Sequence, residues 1–278
     1  MFFDIYFGKL KQSKFHFSNK VIGNSKNNYS NKNAVVIGAN NDEKKELILQ
    51  NIEIAYYNRK NIIIIENNIN LYEQYESFFE DDEDDENGYN IYKINVSELG
   101  IEEIESINND MKLNDAPSCI LIYDDSDLTN ILTNTINIEK FLHKYIETKI
   151  NKKEKIHFMS RNVLKIDDLI IIDTDKSIKD NYILSNIETL NKKHIEILLF
   201  KDSLMLYLKE LRSNSLFITN HIKNYIFYKY NFNEIDYLLK HYLGYKDITK
   251  TKIKILNKDE IMYINTANYK ITSLILKK

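Results

Sequence analysis

The residues best placed to do chemistry lie where an apolar run breaks into a helical pattern, from Ala34 to Gln50 (AVVIGANNDEKKELILQ). A phosphate-binding loop would sit there. Such a loop, G-x-x-x-x-G-K-[ST], uses glycines so that main-chain N–H groups can wrap phosphates, a lysine for the β/γ-phosphates and a hydroxyl for Mg2+. Here those positions are Gly38, Glu43, Lys44 and Lys45. The first glycine and the lysine are kept, whereas the second glycine and the hydroxyl are replaced. A carboxylate about 5 Å from a phosphate charge opposes it by roughly 3 kcal/mol at an effective dielectric near 20. Asp42 and Glu43 would also occupy the first helical turn, where the backbone's partial positive charge attracts an anion. Asn40 followed three residues later by Glu43 fits a reciprocal N-cap. The loop reads as a self-capped helix start that has supplied its own anion, with residual nucleotide binding as the alternative.

A second candidate is Asp168 to Asp175 (DLIIIDTD), an apolar strand ending in an acid that could hold Mg2+. Hydrolysis generally needs a further acid to polarise water. Thr174 cannot serve as a base, and Asp175 is displaced by one residue. Cys119 sits inside an apolar stretch with no charged neighbour to lower its pKa, which marks it as a small core residue. His16, His143, His157, His194, His221 and His241 show no metal-ligand spacing, so no metal site is expected. Tyr225 to Phe232 (YIFYKYNF) interleaves aromatics with a lysine and could stack bases, but it fits a core strand better. The acidic run Glu80 to Glu86 reads as a solvated loop, with a docking site for a basic partner or a metal as the alternative.

Short apolar runs suited to buried parallel strands occur at Ala34–Ile37, Ile62–Ile65, Ile91–Val96, Cys119–Tyr123, Leu169–Ile172, Ile195–Phe200, Asn224–Tyr228 and Ile271–Leu276. Helical spacing predicts helices over Asp42–Asn58, Leu71–Phe79, Asp127–Ile150, Tyr182–Lys193, Ser203–Arg212 and Asn233–Leu243, the last closed by Gly244. Alternation of this kind predicts an α/β fold with a mainly parallel sheet between helical layers. Residues 1–32 read as an irregular lead-in before a domain spanning 33–278. The chain has 278 residues, 43% of them hydrophobic and 28% charged, with one Pro and six Gly, which excludes disordered, collagen-like and Gly/Ser-linker architectures. A formal charge of -3 leaves no global basic excess for sequence-independent nucleic-acid binding. One Cys permits neither an internal disulfide nor a Cys-based zinc site. No apolar run approaches the ~20 residues needed to span a bilayer. A cytoplasmic location is expected, with any membrane association made through partners.

Together these segments resemble the cytoplasmic nucleotide-binding domain of the type IV secretion coupling proteins, the TraG/TraD-like ATPases of conjugative DNA transfer. Asn33 to Lys45 resembles the family's Walker A strand and loop, and Asn61 to Phe79 its second strand and the helix beyond. Gly88 to Gly100 is similar to its Gly-Tyr strand, and Pro117 to Leu132 to the strand that ends in an acidic turn. Leu169 to Asp175 resembles its Walker B strand. Ile195 to Leu211 resembles the strand bearing a catalytic Gln, with Lys201 in that residue's place. Phe217 to Gly244 and Ile255 to Leu276 resemble the closing strand, helix and last hairpin. The resemblance implies a RecA-like P-loop NTPase fold.

It also implies departures from the family. No membrane hairpin is expected, and only about twenty residues separate Ser97 from Pro117, where the family inserts its helical DNA-contacting domain. Arg59, Arg161 and Arg212 offer no clear counterpart to its intersubunit arginine. Three catalytic elements depart together while the hydrophobic scaffold stays whole. That combination implies a pseudo-ATPase acting as an adaptor or assembly subunit, needing no cofactor. It would bind protein partners of a conjugation or secretion machine as a homo- or hetero-oligomer. The alternatives are a weakly active enzyme using ATP and Mg2+ through Lys44, Asp173 and Asp175, and a DNA-binding module.

Overall fold

The computed structural model describes residues 3–10, 21–25, 33–66, 88–96, 100–113, 117–123, 137–145, 147, 168–173, 195–209, 222–228, 232–242, 261–266 and 270–275. Its strands are β1 (Phe3–Leu10), β2 (Val21–Ser25), β3 (Ala34–Ile37), β4 (Asn61–Glu66), β5 (Asn90–Asn95) and β6 (Ser118–Tyr123), followed by β7 (Asp168–Asp173), β8 (Ile195–Lys201), β9 (Asn224–Phe227), β10 (Ile261–Asn265) and β11 (Lys270–Ile275). Its helices are α1 (Asn41–Tyr57), α2 (Ile101–Leu113) and α3 (Phe232–His241), and residues 137–145 and 204–209 are also helical. All eight expected strands are present, although the one at Ile271–Leu276, expected to be parallel, is β11 and pairs antiparallel with both neighbours. The helices expected at Leu71–Phe79 and Tyr182–Lys193, the acidic run Glu80 to Glu86 and Gly244 lie outside the described residues.

By its contacts the chain divides into two units, the first comprising Met1–Asn58, Ile171–Asp175 and Ile197–Lys278, the second Arg59–Ile170 and Lys176–Glu196. In the first unit the strand order is β2-β1-β11-β10-β9-β3-β8, followed by the last residues of β7. β3 pairs parallel with both β8 and β9, while β9, β10, β11, β1 and β2 pair antiparallel in succession. The residues of β3 and β9 are all buried, which requires cover on both faces and explains their unbroken apolar sequence. α1 turns Leu47, Ile48, Ile52 and Ala55 inward, each of them fully buried. At about 1.5–3 kcal/mol for each large aliphatic side chain, this face and not intrinsic propensity holds the helix.

The entry ends of these strands are tied by buried amides. Asn33 accepts the Ile197 N–H at 3.0 Å, Asn224 donates to the Asn33 carbonyl at 3.0 Å, and Tyr263 and Asn265 both donate to Asn224 Oδ1 at 2.8 Å. β3, β8 and β9 are thereby held at the end opposite their carboxyl termini, where the antiparallel β10 finishes.

The second unit orders its strands β7-β4-β6-β5, with β4 and β5 both parallel to β6. β4 and β7 are buried throughout. Asn61 donates to Asp168 at 2.7 Å and accepts the Ser118 N–H at 2.9 Å, Tyr145 donates to the other Asp168 oxygen, and Lys60 pairs with Glu196 at 2.6 Å. Among the described residues no helix is long and apolar enough to cross a membrane.

Two expectations are corrected. The lead-in is not irregular: β1 and β2 form a hairpin within the first unit, and β1 pairs with β11. Phe3, Ile5 and Phe7 alternate as a strand should. Two register shifts against β2, and glycines at Gly8 and Gly23, blur the period-2 signal. The helix α2 is also additional, although Ile101, Ile104, Ile107 and Met111 recur at helical spacing and Ile104 and Ile107 are buried.

Candidate functional site

The first unit brings the carboxyl ends of β3, β7 and β8 together, the place where open α/β sheets hold ligands. Ile37 is in register with Lys201, so β3 and β8 finish level. The next residue, Gly38, has φ 74°, a left-handed conformation that a side chain would strain. Its N–H donates to the Lys201 carbonyl at 2.9 Å. Asn40 then caps α1 as the sequence predicts. Its side chain accepts the Glu43 N–H at 2.9 Å, and the Glu43 carboxylate accepts the Asn40 N–H at 2.7 Å. The loop amides of Gly38, Asn40 and Glu43 are thus all bonded to groups of the chain itself. An incoming phosphate would have to displace a carbonyl, an amide oxygen and a carboxylate.

Lys44 turns inward from the first turn of α1. Its Nζ donates to Asp173 Oδ1 at 2.7 Å and to Asp202 Oδ1 at 3.0 Å. The Lys44 and Asp173 side chains are only 8% and 9% exposed, whereas that of Asp202 is 45% exposed. Burial works to lower the Lys44 pKa, but its bonds and charge contacts with Asp173 and then Asp202 outweigh this and hold it above the ordinary value. Burial raises the Asp173 carboxyl, and the Asp202 charge adds to the rise, against the opposing pull of Lys44. One ammonium between two carboxylates leaves the cluster one negative charge in excess when all three are ionised. That second carboxylate would oppose a phosphate charge placed beside the ammonium, with its effect reduced by solvent because Asp202 is half-exposed.

The structure therefore brings together Gly38, Glu43, Lys44 and Asp173. Lys45 follows in α1, half-buried, and Asp175 lies outside the described residues. Lys201 is buried at the end of β8 and its carbonyl receives Gly38. The cluster's unforeseen member is the next residue, Asp202. An acid directly after an apolar strand, as in Asp173, is the signal that could have found it.

Cys119 and the described part of the aromatic stretch, Tyr225 to Tyr228, are core residues, while His16, His157, His194 and His221 lie outside the described residues. Cys119 is fully buried in β6, where burial pushes its thiol pKa up. Tyr225 and Phe227 are fully buried, with rings stacked at 6.4 Å, and offer no surface to a base. Among the described residues no His, Cys, Asp and Glu group could hold a metal ion.

No protein-family model matches the sequence, and no curated protein matches it. Among solved structures, the chain is similar to VirB4 of Thermoanaerobacter pseudethanolicus. The TM-score is 0.60 at 8% identity, over 99% of this chain and 97% of that one. The genome packaging NTPase B204 from Sulfolobus turreted icosahedral virus 2, in complex with sulfate, aligns with a TM-score of 0.48 at 13% identity, over 90% of this chain and 98% of that one. At such identities the likeness is one of fold. With its parallel strands, its glycine turn after β3 and its helix opening at the carboxyl edge, the chain has the RecA-like P-loop NTPase fold.

Proposed function

We propose that this chain is a catalytically inactive, coupling-protein-like (TraG/TraD-like) pseudo-ATPase of a conjugative DNA transfer or type IV secretion machine, where it serves as an adaptor or assembly subunit. The observation that carries the reading is the inward Lys44, paired at 2.7 Å with Asp173 and at 3.0 Å with Asp202. A lysine that must meet the β/γ-phosphates is instead neutralised by the chain's own acids, and Glu43 closes the helix start beside it. The fold shared with VirB4 supports the choice of machine. The adaptor works among protein partners at the cytoplasmic face of the membrane and needs neither ATP nor Mg2+.

The alternative is a weakly active ATPase in which Lys44, Asp173 and Asp175 still work. Calorimetric titration with Mg-ATP separates the two. The inactive reading expects no saturable binding below millimolar nucleotide. Sub-millimolar binding that disappears in Lys44→Ala would establish the alternative. A DNA-binding role would appear as an affinity that falls steeply with salt, and a salt-insensitive or absent gel shift removes it.

A further inference from the structure

Asp202 supports an inference that rests on the reading of the pocket as self-occupied and adds the element that keeps it so. Of the two carboxylates on Lys44, Asp173 lies on the buried side, 9% exposed, and Asp202 on the solvent side, 45% exposed. An anion arriving from water meets Asp202 before it meets the ammonium. Both neighbours of Asp202 are pinned. The Lys201 carbonyl is bonded to Gly38, and the Ser203 hydroxyl accepts the Leu206 N–H at 3.3 Å as the helix over 204–209 begins. An ammonium has three protons to donate, and Asp173 and Asp202 take two of them. We infer that Asp202 is a latch: from its fixed turn it holds the Lys44 ammonium against Asp173, and a neutral side chain in its place opens the pocket to the polyphosphate of a magnesium nucleotide.

The logic is one of charge and of donors. With Asp202 the cluster carries one excess negative charge, and without it Lys44 and Asp173 cancel. A neutral side chain there removes the excess charge and replaces a charge-assisted bond to the ammonium by a weaker neutral one, so the hold on Lys44 and the repulsion from that side fall together. Because Asp202 is half-exposed and Asn has nearly its shape, Asp202→Asn leaves the fold in place.

Two readouts on the full chain test the latch: the rate at which an amine-acylating reagent modifies Lys44, followed by peptide mass spectrometry, and calorimetric titration with Mg-ATP. Asp202→Asn is expected to raise both the Lys44 modification rate and the Mg-ATP affinity by at least about tenfold over the wild type. Asp202→Glu, which keeps the charge, is expected to match the wild type. Modification of Asp202→Asn at the wild-type rate, or no heat from that variant at millimolar Mg-ATP, overturns the latch. Should the wild type itself bind Mg-ATP tightly, the inactive reading fails, and a variant-to-wild-type ratio near one then overturns the latch separately. If Asp202→Asn does not fold, as read by circular dichroism, Asp202→Ser is judged by the same two ratios.

Discussion

At the scale of single residues the loop after β3 is explained by local chemistry without any ligand. Asn40 and Glu43 satisfy each other's backbone N–H groups, so Asn40→Ala is expected to lower the unfolding free energy by about 1 kcal/mol in urea titration. An unchanged midpoint would show that the cap contributes nothing. Lys44 and Asp173 are a buried pair, and removing one partner strands the other. Lys44→Met should therefore cost about 3 kcal/mol, and adding Asp173→Asn should recover a good part of it, a coupling that a double-mutant cycle measures directly. Strict additivity would contradict the pairing. The pH dependence has a definite sign. Because burial and Asp202 hold the folded-state pKa of Asp173 above its ordinary value, its contribution is present below about pH 4 and is lost as pH rises through the raised value. Relative to Asp173→Asn, the wild type should gain stability as pH falls from about 7 to about 4, and a flat or opposite trend contradicts the assignment.

At the scale of elements, the strands buried on both faces were legible because an Ile-rich run bounded by polar residues has few other uses. α1 was legible down to its cap. β1 and β2 were not, because a bulged hairpin containing Gly8 and Gly23 loses the alternation that marks a strand, and its pairing with β11 is set by residues at the far end of the chain. Asp202 escaped for a related reason. Acids often follow strands, and its partner Lys44 is 158 positions away, brought close only by the pairing of β3 with β8. The hairpin also has a task of its own. Without it β11 would become an open edge with unpaired N–H and C=O groups. Deleting residues 1–25 is expected to cause self-association, seen by light scattering after size exclusion, whereas a monodisperse product of unchanged state would show the edge to be harmless.

At the scale of the whole molecule, a P-loop NTPase fold with parallel strands intact carries a loop whose Gly38, Asn40 and Glu43 amides and whose lysine are bonded to the chain itself. The fold alone decides nothing about turnover, since function resides in the site built upon it. The site's charge is what argues against nucleotide, and that is open to direct observation. The most direct measurement is a crystal structure grown or soaked with millimolar Mg-nucleotide. The account predicts Lys44 still bonded to Asp173 and Asp202, Glu43 still closing on Asn40, and no triphosphate density between Gly38 and Lys45. Triphosphate density wrapped by that loop, with Lys44 swung out to meet it, would contradict the account.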